Sequence, residues 1–161
     1  MNILVIGLII LLIWRMKAGS KKGVVREVIA LVNVIFAGVL ISLISMIVGA
    51  YQSADYLKIV ILAVIVIVLS VIYGILNIVF FPAKVVSKLP IVSTADKILG
   101  LVMGAAETFV VFWTICCICN YAEFASLSGQ IMPMIFENPV LVALYEHNML
   151  AVLLDMMKAS I

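Results

Sequence analysis

Four apolar stretches, residues 1–18, 28–50, 57–81 and 97–120, dominate the chain. A bilayer core is crossed by about 20 apolar residues, with a range of roughly 17–25. The last three stretches meet that length outright. The first meets it when Arg15 and Lys17 carry their charged ends to the headgroups while their stems stay in lipid. In lipid every backbone group needs a partner within its own segment. The β-branched run from Ile59 to Ile72, which would read as strand in water, is therefore expected to be helical. A β-barrel is excluded, because nothing alternates polar with apolar at strand length. Composition agrees: 67% of the 161 residues are hydrophobic and 11% charged, against roughly 45–50% and 25% in soluble domains. A chain this short cannot bury that excess. The expected fold is an all-α integral membrane protein. Four transmembrane helices occupy residues 1–120, and an extracytoplasmic tail, residues 121–161, carries a C-terminal amphipathic helix on the outer face.

The connections set the orientation. Arg15, Lys17, Lys21, Lys22 and Arg26 lie between the first two stretches, and Lys84, Lys88 and Lys97 between the third and fourth. The other side holds only Lys58 and Lys158. Under the positive-inside rule both basic loops face the cytoplasm and both termini face outward. Met1 to Trp14 is uncharged and the bases follow it, the reverse of a cleavable signal, so the first stretch is expected to remain in the protein.

Gly19 and Gly23 flank the first turn and permit positive φ there. Pro82 is expected to close the third helix, with residues 82–91 as a short helix at the inner interface. Ser93-Thr94-Ala95-Asp96 has the form of a capping box, and Asp96 also suits the positive end of a helix dipole. Asn138-Pro139 reads as an N-cap followed by proline at the first helical position. From there to Lys158, Leu141, Tyr145, Met149, Val152, Leu153 and Met156 share one side of a helix, with His147, Asn148, Asp155 and Lys158 opposite. Such a helix lies in the interface or caps the bundle; a fifth span is the competing reading.

Gly100 and Gly104 form G-x-x-x-G, a spacing that stacks both glycines on one face and admits close helix packing, within the bundle or between copies. Glu107 continues that face. It stands about 16 Å up the fourth helix from Asp96, near the middle of a core about 30 Å thick. A carboxylate at that depth costs at least about 2.5–3.5 kcal/mol in contact with lipid, so it should face protein. Asn33, at similar depth, is the first partner expected and Ser70 the second. Glu107 then acts as interhelical glue or as the lining of a proton or solute pathway. The plainest reading of Cys116-Cys117-Ile118-Cys119 is buried free thiols acting as small hydrophobes. His147 has no cysteine or acid cluster at metal-ligand spacing and reads as solvated. No motif calls for a cofactor, a metal or catalysis, and a net charge of +2 does not suggest nucleic acid. The basic residues from Arg15 to Arg26 are accounted for by topology and also suit anionic lipid headgroups.

The turn Gly19-Ser20-Lys21-Lys22-Gly23 followed by Val24-Val25-Arg26-Glu27 resembles the colicin V production protein family, whose members show a glycine, two bases, a second glycine and often Arg-Glu there. Asp96-Lys97-Ile98-Leu99-Gly100, then Gly104, is similar to the family's Asp, Gly and Gly at four-residue steps. The tail, through Leu144-Tyr145-Glu146-His147-Asn148, is similar to that of bacterial members. Asn2 and Glu107-Thr108 depart from the pattern. The resemblance implies a multi-pass protein of the bacterial inner membrane, working as an accessory in toxin production or export, or in envelope maintenance, through lipid or membrane-protein partners. The alternative is an oligomeric channel or transporter component built from several copies.

Overall fold

The computed structural model describes residues 2–86, 94–122 and 125–159, and the regular structure among them is all α-helix. The helices are α1 (Ile3–Lys22), α2 (Val24–Gln52), α3 (Tyr56–Val86), α4 (Thr94–Tyr121), α5 (Ala125–Phe136), α6 (Pro139–Glu146) and α7 (Met149–Ala159). Five described segments are long and apolar enough to cross a membrane: α1, α2 and α4 whole, Tyr56–Leu76 of α3, and Pro139–Ala159 taken across the break between α6 and α7.

Two helix ends differ from those expected. α1 runs through Gly19 to Lys22, and Gly23 alone breaks the helix, at φ 81°. Gly19 contributes a missing Cβ to packing and not a turn conformation. α3 runs through Pro82 to Val86. Ending a helix in apolar surroundings would strand several backbone groups, whereas continuing past proline strands only one. Of the expected interfacial helix, residues 82–86 belong to α3, and the remainder lies outside the described residues, as does Ser93. Asp96 sits in the first turn of α4, and Asn2 caps α1, its side chain accepting from the Leu4 amide at 3.0 Å.

The helices do not pack in chain order. α4 lies against both α1 and α2 along their lengths, and α3 packs on the other side of α2. α1 and α2 are joined by a single residue yet meet little. Gly19 opposes Gly100 and Arg15 opposes Gly104, so α1 and α4 are antiparallel; Gly38 opposes Thr114 and Gly49 opposes Tyr121, so α2 and α4 are parallel. One core cluster joins α2, α3, α4 and α7 through Leu43, Leu62, Val110, Cys117, Leu150 and Leu154. A second joins α4 to α5 and α6 through Phe112, Cys116, Ile135 and Leu141. The three cysteines are free and buried.

The tail is not the single helix expected. Asn148 interrupts it, its side chain accepting from the Ala151 amide at 3.0 Å and so capping α7. The same side chain donates to Trp113 O at 3.2 Å and lies 3.7 Å from Cys117 Sγ. The break shifts the helical phase. Leu141 is buried as expected, but Met149, Val152 and Met156 are 73%, 58% and 67% exposed, and Asn148, Leu150 and Leu154 are inside instead. α6 and α7 straddle the second half of α4. Trp113 Nε1 donates to Leu144 O at 2.8 Å, and Tyr121 Oη donates to Asp155 at 2.7 Å. Asn148→Ala removes a helix cap and the side-chain hydrogen bond that ties α7 to Trp113 O. It should cost about 2 kcal/mol, read as a lower thermal midpoint with helix content retained.

Candidate functional site

The glycines of α4 set the site. A Cβ on Gly100 would overlap Gly19 O, and one on Gly19 would overlap Gly100 O. A Cβ on Gly104 would lie 2.5 Å from Arg15 O. The two backbones are therefore in direct contact over more than one turn, as small residues allow between membrane helices. Glu107 lies three residues beyond Gly104 and faces the same helix, where it forms an ion pair with Arg15. Its side chain is 0% exposed and that of Arg15 is 20% exposed.

This arrangement corrects two expectations. Arg15 does not carry its charge to the headgroups, because a carboxylate is within reach across the glycine seam. Nor is Glu107 held by Asn33 or Ser70. Among the described residues its oxygens accept no hydrogen bond from either. Ser70 is exposed and its hydroxyl donates to Val66 O at 2.7 Å within its own helix. Asn33 is half-buried on α2.

Glu27, which the sequence marks only as part of a family motif, is a second buried acid. It lies in the first turn of α2, is 0% exposed, and has Lys22 Nζ at 3.8 Å. Its Oε1 is 3.3 Å from the point a Gly19 Cβ would occupy. The Arg26-Glu27 step read as part of a loop, because the second stretch was placed from residue 28; the helix starting at Val24 carries Glu27 inward. Thus α1 supplies both bases, Arg15 and Lys22, while α2 and α4 supply the two buried acids. Lys17, Lys21, Lys22 and Lys97 present their charges at the same end of the bundle, with Arg26 half-buried beside them.

Chemically the site is a closed clasp. Glue and backbone contact coincide at one seam, where the Glu107 carboxylate is fully buried and Arg15 reaches it from the α1 side. Among the described residues no group of three or more His, Cys, Asp or Glu is placed to hold a metal.

A family model described as Colicin V production protein matches residues 4–144. No curated protein and no solved structure matches the chain.

Proposed function

The chain belongs to the colicin V production protein family, and from that membership we propose a four-span accessory protein of the bacterial inner membrane. It serves toxin production or export, or envelope maintenance, by engaging lipid and membrane-protein partners, without enzymatic chemistry of its own. The observation that carries this reading is the clasp. Glu107, the one acid deep in a span, is committed to Arg15, and the glycine contacts close the seam around it. A lone bundle of this kind offers partners an outer surface rather than a solute an inner route. That surface is aliphatic on α3, where Val60, Val64, Ile67 and Val71 are each more than half exposed. The exposed bases at the inner end suit anionic headgroups.

Both termini are outside in this reading, with Pro139–Ala159 not crossing. The support is positional. Leu150 packs near the middle of α2 and α4, beside Gly38 and Val110, whereas Lys158 shares a recess with Asp55, Asn120 and Tyr121. α7 thus ends where α4 ends, opposite the basic loops. Ser20→Cys should stay unlabelled by an impermeant thiol reagent in intact cells, and Glu137→Cys should react. Buried Cys116, Cys117 and Cys119 keep the background low. Labelling at position 20 from outside overturns the orientation. The accessory role is tested by a photocrosslinking residue at Val64 in toxin-producing cells. Capture of a different membrane protein, lost together with toxin output when Val64 is made bulky, is expected; capture of this chain alone overturns the reading.

A further inference from the structure

Two recesses open side by side at the end of the bundle where α2 gives way to α3 and α4 stops. One, of about 110 Å³, is lined by Asp55, Lys58 and Lys158 together with Asn120 and Tyr121. The other, of about 350 Å³, has Glu146 and Asp155 on its wall and again Asn120 and Tyr121. Each far exceeds the roughly 10–15 Å³ that admits one water. Asn120 and Tyr121 form the shared wall, and hydrogen bonds fix it. Asn120 Nδ2 donates to Tyr145 Oη at 3.1 Å, and Tyr121 Oη donates to Asp155 at 2.7 Å.

Charge divides across that wall. Lys58 and Lys158 stand on one side, Glu146 and Asp155 on the other. Asp55 lies 3.7 Å from Lys58 and offsets part of its charge. Among the described residues, neither Lys158 nor Glu146 enters an ion pair. The helices beneath are apolar through their spans, so the recesses open at the level where headgroups lie. A ligand that satisfies both sides carries an anion and a hydrogen-bonding cation a few atoms apart.

We propose that the paired recesses hold the headgroup of an aminophospholipid of the outer leaflet, its phosphate toward Lys58 and Lys158 and its ammonium toward Glu146 and Asp155. The assignment of the leaflet rests on the orientation proposed above; the headgroup chemistry does not. A choline headgroup has no N–H to donate to the carboxylates, and a glycerol headgroup has no cation. The phosphate end of all three is the same, so discrimination comes from the acidic side.

The test is native mass spectrometry of the purified full-length protein with phosphatidylethanolamine, phosphatidylglycerol and phosphatidylcholine of matched acyl chains. The ethanolamine lipid should be retained in preference to the other two. Glu146→Gln should lower its retention about two- to fivefold, the range of one exposed charge pair, with a smaller loss for the choline lipid, which has the charge but no N–H, and none for the glycerol lipid. Lys158→Gln should weaken all three by a similar factor. Both positions are exposed, so circular dichroism and the thermal midpoint should match those of the parent protein. Equal retention of the three lipids, or indifference to both substitutions, overturns the site. If the ethanolamine preference holds while cysteine labelling reverses the orientation, the headgroup site stands and the leaflet assignment falls.

Discussion

Glu107→Ala should destabilise the bundle by about 3–5 kcal/mol, the cost of removing one partner of a buried ion pair and leaving the other uncompensated. The charge left behind is Arg15, whose side chain is 20% exposed and lies against α4. Membrane abundance should fall, and detergent-solubilised protein should lose helix at a much lower denaturant concentration. Arg15→Met combined with Glu107→Met should recover most of the loss, since an apolar pair of similar volume is often neutral or stabilising. A single variant as stable as the parent would show that the pair does not hold α1 in place. A stable double variant without toxin production would assign the charges a role beyond holding two helices together.

The second large effect is expected at Gly100. In Gly100→Ala the new Cβ strikes Gly19 O and the carbonyl carbon behind it. A backbone atom cannot rotate aside, so α1 must move away from α4, and the Arg15–Glu107 pair opens with it. Overpacking alone costs about 1–3 kcal/mol, and the opened pair adds to that. Gly19→Ala should behave alike, because the contact is reciprocal. Gly7→Ala and Gly74→Ala are the controls. Nothing lies within 4 Å of a Cβ at either position, and the gain in helix propensity is up to about 1 kcal/mol. If Gly100→Ala and Gly74→Ala shift the thermal midpoint equally, close approach of α1 and α4 is not what stabilises the protein.

These residues also show what the sequence makes legible. The apolar helices are legible because length and apolarity are local properties, whereas the points where α1 and α3 stop, Lys22 and Val86, are not. Gly19 was misread because glycine is a breaker by local rules, whereas its use depends on Gly100, eighty-one residues away. Glu107 announced its need for a partner through depth alone. Which residue answers it depends on helix order, and pairing in chain order points to α2 and α3 and not to α1. Asn148 was placed on the polar side of one continuous helix. A periodic stripe carries no mark of a break within it, so the rotation that brings Leu150 and Leu154 inward could not be seen.

The packing order has a consequence for how the protein is made. Arg15 leaves the ribosome roughly ninety residues ahead of Glu107, an interval on the order of 5–20 s at ordinary translation rates. Throughout it α1 is a short helix with an unmatched charge in its lower half, held in the membrane by its apolar start and by the bases that follow. Only when α4 emerges does the nascent chain gain both the acid and the glycine surface that fix its first segment. Biogenesis of this protein therefore closes from α4 back to α1, and any event that halts synthesis before residue 107 leaves the amino-terminal helix without its anchor.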